Sequence, residues 1–171
     1  AALGWVFAWN VYRTDWQSQA WPDDPDVDFI RRLTGPLKTL YNVDRTRVFA
    51  TGHSRGAAMS IILAFELPQL IAGFCSEMGF INPNAYDYRI LEYAEPRRIP
   101  GVLVHGTADP DVPVGNSDYI SNVLTRQGWV EGVDYAYLRL PNVTHEWQPQ
   151  YNQLFYDFLF ERALLPRDAE P

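Results

Sequence analysis

The pentapeptide GHSRG, at residues 52–56, places a serine between two glycines, a spacing that suits nucleophilic chemistry. Residues 47–51 before it are rich in β-forming side chains, and residues 57–66 after it form a long apolar run suited to a buried helix. A strand, a sharp turn and a helix are the setting in which G-x-S-x-G lifts a serine hydroxyl above a sheet. We predict that Ser54 is a nucleophile, and that a Cβ on either glycine would crowd the neighbouring strand and helix.

A nucleophilic serine needs a base and an acid, and both residue types follow predicted strands later in the chain. A strand predicted at residues 101–105 leads into Asp109, and one predicted at residues 135–140 leads into His145. Because the C-terminal ends of parallel strands meet at one edge of a sheet, residues in the following loops can converge there. We therefore predict that Ser54, Asp109 and His145 form a catalytic triad, in the chain order serine, acid, histidine.

The elements that must position these residues can be predicted from the hydrophobic pattern. Predicted strands cover residues 3–9, 47–51, 71–78, 101–105 and 135–140, and predicted helices cover residues 26–41, 57–66, 117–127 and 151–159. Gly35 and Pro36 should kink or split the first helix. Asn116 is expected to cap the third helix and Gly128 to end it. Five strands alternating with helices predict a single domain over residues 1–171, a three-layer α/β/α sandwich with a mostly parallel sheet.

Composition agrees with one globular domain and narrows the classes of partner. The chain has 171 residues, 47% of them hydrophobic and 15% aromatic, so it can bury a substantial core. A formal net charge of −7 argues against nucleic acid or an anionic membrane as a partner. The one cysteine, Cys75, excludes an internal disulfide, and its apolar neighbours favour a packed thiol. The histidines are too widely separated to have the spacing of metal ligands, and the aspartates at residues 23–28 lack an EF-hand pattern. The sequence therefore predicts neither a metal nor a cofactor.

Three parts of this chain resemble the α/β-hydrolase superfamily: TGHSRGAAM at residues 51–59, HGTAD at residues 105–109, and the late His145. Within that superfamily the chain looks most like secreted esterases grouped with polyhydroxybutyrate depolymerases, feruloyl esterases and acetyl xylan esterases. The resemblance implies an α/β-hydrolase fold, an extracellular location and hydrolysis of carboxylic esters by a serine esterase. It also implies Asp109, rather than the neighbouring Asp111, as the acid of the triad.

The family mechanism gives each matching residue a role. Ser54 would attack an ester carbonyl, forming an acyl-enzyme, and His145 would accept its proton and pass it to the leaving alcohol. Asp109 would hold the imidazole in one tautomer and stabilise its positive charge. The backbone N–H of Arg55, the residue after the nucleophile, would be one donor of the oxyanion hole.

The chain departs from this family before the pentapeptide. The second oxyanion donor normally follows an earlier strand and is marked by a His-Gly pair, which this sequence lacks upstream of residue 52. The predicted sheet is therefore N-terminally truncated, and the second donor is unknown. Three explanations stay open: a further N-terminal segment in a longer protein, a non-catalytic relic, or residues 3–9 moved into the vacant position with a donor near Trp9, Asn10 or Val11.

Aromatic and acidic residues near the predicted site are candidates for substrate binding. Trp147, two residues after the predicted base, is the strongest candidate for a ring that packs on substrate, with Trp9 and Glu77 as further candidates. His53 and His105 are expected to make structural hydrogen bonds. The expected partner is a small-molecule or polymer-borne ester, with feruloyl or acetyl esters on plant polysaccharide favoured. The alternatives are a polyhydroxyalkanoate depolymerase-like esterase and an incomplete or non-catalytic binding domain.

Overall fold

The computed structural model describes Trp9, residues 25–81 and residues 98–162. In chain order the elements within these residues are α1 (Pro25–Leu40), β1 (Phe49–His53), α2 (Arg55–Glu66), β2 (Gly73–Glu77), β3 (Gly101–Gly106), α3 (Gly115–Arg126), β4 (Tyr135–Leu140) and α4 (Asn152–Phe160). A short 3-10 turn precedes α4. The strand predicted at residues 3–9 lies outside the described residues, except for Trp9, which belongs to no helix or strand.

The four strands form one parallel sheet in the order β1-β2-β3-β4, which confirms the predicted α/β class. Their register aligns the strands at the C-terminal edge. His53 at the end of β1 pairs with Glu77 at the end of β2, and Gly106 at the end of β3 pairs with Leu140 at the end of β4. Loops that leave these strands therefore start side by side, as in other parallel sheets that carry functional groups at this edge.

Successive strand residues point into two different apolar layers, as the two-residue period of a strand requires. Phe74 and Leu103 belong to the core beneath α1, α2 and α3, whereas Cys75 and Val102 belong to the core beneath α4. All four are fully buried, and burying a large apolar side chain contributes about 1.5–3 kcal/mol. Helices on both faces confirm the predicted three-layer sandwich. None of the helices within the described ranges is long and apolar enough to cross a membrane.

Helix α1 differs from its prediction in two ways. It runs without a break from Pro25 to Leu40 with Pro36 inside it, so of the two predicted outcomes the split is wrong and the kink stays a prediction. The helix is exposed around Pro36, so water can satisfy the carbonyl that loses its N–H partner. The predicted apolar stripe is mostly exposed as well: Val27 is buried, but Leu33 and Leu37 face solvent. Helix α1 thus adds little to the core among the described residues.

The boundaries of α3 confirm one predicted signal and correct another. Gly128 has a φ of 92°, a conformation that glycine adopts easily, and it follows the end of the helix as predicted. Asn116 does not cap the helix, which already begins at Gly115. Instead the Asn116 side chain donates a hydrogen bond back to the carbonyl of Pro113, at 2.9 Å. The side chain satisfies a group outside the helix rather than an N–H in its first turn.

Candidate active site

Ser54 occupies the sharp turn between β1 and α2, with φ 58° and ψ −119°. A positive φ in a residue that carries a Cβ is strained, and such strain clusters at functional sites. The turn depends on Gly52, because a Cβ there would lie 2.2 Å from the carbonyl carbon of Gly56. The prediction of crowding is therefore confirmed at Gly52. It is wrong at Gly56, where a Cβ would meet nothing within 4 Å.

The carboxylate of Asp109 lies in the loop after β3, with its side chain fully buried. Its Oδ1 accepts hydrogen bonds from the backbone N–H groups of Asp111 at 2.9 Å and Val112 at 2.8 Å. Its Oδ2 lies 2.7 Å from Nδ1 of His145. Burial by itself would raise the pKa of Asp109, but the bonds from His145, Val112 and Asp111 hold that pKa below its usual value. The carboxyl group is therefore ionised at neutral pH.

The loops that carry the acid and the base are fastened to each other. The backbone N–H of Thr107 donates to the carbonyl of Leu140 at 2.9 Å, and the Thr107 hydroxyl accepts from the N–H of Asn142 at 2.9 Å. Gly106 allows the close approach, because a Cβ on it would lie 2.1 Å from the carbonyl oxygen of Val143. These contacts between segments about 35 residues apart fix the distance between acid and base.

The ring of His145 lies beside the turn that holds Ser54. Its centroid is 4.6 Å from that of His53, the residue immediately before Ser54. The Ser54 hydroxyl makes no hydrogen bond to the His145 ring within the part of the chain that the structure describes. Bonds between nucleophile and base are often long without a ligand and tighten when substrate binds. The fold thus brings all three predicted triad residues to one edge of the sheet.

His53 differs from its predicted role as a structural hydrogen-bonder. Its Nε2 is buried and has no hydrogen-bond partner among the described residues. Its ring instead contacts the ring of His145 and lies 6.2 Å, centre to centre, from that of Trp147. Burial lowers the pKa of His53, and the neighbouring His145 lowers it further. His53 is therefore a neutral ring packed against the predicted base.

His105, at the end of β3, has the predicted structural role and also supports the acid. Its Nε2 lies 2.8 Å from the carbonyl oxygen of Val112, and its Nδ1 lies 2.7 Å from the hydroxyl of Ser117. A carbonyl only accepts, so Nε2 carries the proton and Nδ1 accepts from the hydroxyl. Burial lowers the pKa of His105 despite the opposing effects of Val112 and Asp109. This neutral ring, 3.3 Å from Asp109 Oδ2, anchors the acid loop to α3.

The three substrate-binding candidates lie in different places. Trp147 is 39% exposed and stands on the base loop beside His53, where it can meet a ligand. Trp9 lies elsewhere, on a cavity of about 300 Å³ between α1, β1 and α2 that none of the triad residues lines. Glu77 is fully buried at the end of β2, and its carboxylate accepts a hydrogen bond from the backbone N–H of Gln148. Trp9 thus lies away from the triad residues and Glu77 lies in the interior, and the part of each in substrate binding stays a prediction.

One side-chain group in the described residues has the spacing of a metal site: Asp109, Asp111 and His145 offer ligand atoms within 4.8 Å of one another. A metal there would have to displace the existing contact between Asp109 and His145, so the donor set fits a triad better.

Cys75 offers no reactive alternative. Burial, followed by the charge of Glu77, raises the pKa of its thiol, so it stays protonated.

Comparison with known proteins agrees with this geometry. Residues 30–160 match the family model described as phospholipase/carboxylesterase. The esterase NocK of Nocardia uniformis subsp. tsuyamanensis is 37% identical over 91 residues, which are 52% of this chain and 25% of NocK. This chain thus spans about a quarter of that relative.

Solved structures share the same fold. A thermostable esterase matches with a TM-score of 0.67 and 25% identity, over 81% of this chain and 37% of that protein. Arabidopsis thaliana SOBER1 matches with a TM-score of 0.63 and 17% identity, over 80% of this chain and 62% of SOBER1. The family match covers most of the chain, and the parallel sheet and the turn at Ser54 agree with it. The chain therefore belongs to the phospholipase/carboxylesterase family of the α/β-hydrolase superfamily.

Proposed function

We propose that this chain carries the catalytic centre of a serine esterase that hydrolyses carboxylic esters through an acyl-enzyme. The observation that carries the proposal is the 2.7 Å contact between Asp109 Oδ2 and His145 Nδ1, beside the strained turn at Ser54. A buried, ionised carboxylate on one ring nitrogen leaves the other nitrogen to exchange a proton with the nucleophile. Family membership supports the same reaction class.

The proposed reaction has two halves. The ionised Asp109 keeps the imidazole proton on Nδ1, so Nε2 of His145 accepts the proton of the Ser54 hydroxyl as Oγ attacks the ester carbonyl. The tetrahedral intermediate collapses, the C–O bond to the alcohol breaks, and His145 protonates the departing alcohol. Water then attacks the acyl-serine with His145 again as the base, which releases the acid and restores the Ser54 hydroxyl.

The oxyanion formed in each half needs hydrogen-bond donors. We assign one of them to the backbone N–H of Arg55, the first residue of α2. The N-terminus of this 12-residue helix also supplies positive potential to the developing charge. One oxyanion donor is typically worth about 2.7–4 kcal/mol of transition-state stabilisation, so this position matters to the rate.

For the substrate, we propose an ester with a hydroxycinnamoyl or acetyl group, as found on plant polysaccharides, met outside the cell. The exposed indole of Trp147 beside the base loop favours the aromatic acyl group, because a flat ring can pack on it. A polyhydroxyalkanoate ester is the alternative substrate that the sequence resemblance offers. A binding domain without catalysis is the alternative from another class, and it predicts ligand binding without reaction at Ser54.

The experiment that tests the catalytic proposal is covalent labelling of the purified chain with a fluorophosphonate probe, followed by peptide mass mapping. We expect one labelled residue, Ser54, and no labelling of a Ser54→Ala variant. Ser121→Ala, which removes a hydroxyl bonded to Tyr135 away from the site, serves as the control and should label normally. A folded chain that binds feruloyl ligands but never reacts at Ser54 would overturn the proposal. Initial rates on feruloyl, acetyl and hydroxybutyrate esters then separate the substrate classes.

A further inference from the structure

The C-terminal end of β2 touches the segments that carry all three proposed catalytic residues. Strand β2 lies between β1, which leads into Ser54, and β3, which leads into Asp109. The backbone carbonyl of Glu77 accepts a hydrogen bond from the N–H of Ser54, at 2.9 Å. This bond reaches the strained nucleophile residue itself, so a shift of Glu77 would shift Ser54.

The side chain of Glu77 reaches in another direction, to the base loop. Its Oε1 accepts a hydrogen bond from the backbone N–H of Gln148, which is 71 residues away in sequence and three residues after His145. The Gln148 side chain in turn donates to the carbonyl of Glu146 at 2.9 Å. Hydrogen bonds therefore hold both Glu146 and Gln148 in the segment that follows His145. The Glu77 carboxyl group thus links this segment to the end of β2.

The next residue connects the same strand end to β3, the strand that leads into the acid loop. Met78 has a φ of 54°, a strained value for a residue with a Cβ. Its N–H donates to the carbonyl of Val104 at 2.8 Å, and its sulfur accepts from the N–H of Gly106 at 3.4 Å. The strand end formed by Glu77 and Met78 therefore bonds to the nucleophile turn, to the end of β3 that leads into the acid loop, and to the base loop.

From these contacts we propose that Glu77 is a positioning residue, whose carboxyl group holds the His145 loop in register with Ser54. The inference rests on the proposed function, since it assigns Glu77 a part in the same triad. Glu77 would touch neither substrate nor the reacting atoms. It would act by fixing the segment 145–148 against the strand end that also bonds to Ser54.

The cost of burying Glu77 supports a specific role. Its side chain is fully buried, and its Oε2 has no hydrogen-bond partner in the described part of the chain. Buried polar atoms without partners are rare in native proteins, because the desolvation of each one is unfavourable. An apolar side chain would avoid this cost but could not accept the hydrogen bond from Gln148. The carboxyl group is needed for the link to the base loop, not for packing.

The test compares three substitutions at this position. Glu77→Gln keeps a carbonyl acceptor at the same reach, Glu77→Met keeps the length without the acceptor, and Glu77→Asp keeps the carboxyl group but shortens the side chain. Glu131→Gln, which removes an exposed carboxylate far from the site, is the control. Two quantities are measured on folded protein: the rate of Ser54 labelling by a fluorophosphonate, and the NMR signal of the His145 Nδ1–H that faces Asp109.

We expect Glu77→Met and Glu77→Asp to label roughly 10- to 100-fold more slowly, as a misplaced base would. Their His145 Nδ1–H signals should shift or broaden. Glu77→Gln, which keeps the acceptor, should retain the wild-type rate and signal. Wild-type rates and signals in Glu77→Asp would overturn the inference, even if Glu77→Met fails to fold. If wild-type protein does not label at Ser54, the proposed function fails instead. The NMR comparison still decides whether Glu77 positions the loop.

Discussion

The imidazole rings of His53 and His145 lie 4.6 Å apart, centre to centre, and are inclined by 47°. Two positively charged rings at this distance would repel each other, so at most one can readily carry a proton. Burial lowers the pKa of His53, and the adjacent His145 adds to the effect. A neutral His53 ring places no second positive charge beside His145, which suits the role of base proposed for His145.

Burial and neighbouring charges predict how His53 and His105 titrate. In an NMR titration of the side-chain nitrogens, His53 should change protonation below its ordinary value of 6.5. His105 should also titrate below 6.5, since burial lowers its pKa too. Both should stay neutral at pH 7. A His53 ring that gains its proton above pH 6.5 would contradict the proposed arrangement.

The two aspartates after β3 should differ sharply in their effect on activity. Asp109→Asn removes the ionised partner of His145 Nδ1, and a loss of roughly 10⁴-fold in kcat is typical of that change in a triad. Asp111→Asn should stay near wild type, because Asp111 contributes only its backbone N–H to Asp109. Ester hydrolysis rates of the two variants, with circular dichroism to verify folding, provide the measurement. A larger loss in Asp111→Asn than in Asp109→Asn would show that the acid is assigned to the wrong residue.

The two glycines of the pentapeptide should also respond in opposite ways to alanine. Gly52→Ala places a Cβ 2.2 Å from backbone atoms of Gly56, so the turn must open and Ser54 must move. We expect loss of fluorophosphonate labelling and a lower free energy of unfolding.

Gly56→Ala meets nothing within 4 Å and lies in helix α2, where alanine is intrinsically favoured over glycine by up to about 1 kcal/mol. Its free energy of unfolding, measured by urea denaturation, should equal or exceed that of wild type. A Gly56→Ala variant as damaged as Gly52→Ala would show that the turn needs both glycines.

Stability should depend on pH through Glu77. Burial raises the pKa of Glu77 from 4.5 to about 7, against the opposing hydrogen bond from Gln148. Because the folded state binds the Glu77 proton more tightly than the unfolded state does, the stabilisation that this proton provides is fully present below pH 4.5. It is lost as the pH rises through about 7. Relative to Glu77→Gln, which cannot ionise, wild-type protein should lose on the order of 2 kcal/mol of unfolding free energy over this range.

Urea denaturation of both proteins below pH 4.5, near pH 7 and above it measures this difference. A difference that stays constant with pH would mean that Glu77 is not buried as described.

Local sequence patterns determined much of this fold. The strands predicted at residues 101–105 and 135–140 match β3 and β4 within one residue, because short apolar runs bounded by turn residues encode strands locally. The turn at Ser54 could also be predicted, because the close contact that requires glycine at position 52 is with Gly56, only four residues further along the chain. The order of serine, acid and histidine in the chain sufficed to nominate Asp109 and His145.

Tertiary structure decided the features that depend on distant residues. Pro36 did not split α1, and the apolar stripe of that helix is mostly exposed, because burial depends on what packs there and not on the pattern alone. Asp109, rather than Asp111, contacts His145. The loop bends so that backbone N–H groups bind Oδ1 of Asp109, which leaves its Oδ2 facing His145. Glu77 reaches Gln148 across 71 residues of sequence. Residues this far apart in sequence meet only when the whole chain packs, and no local pattern in the sequence records such a contact.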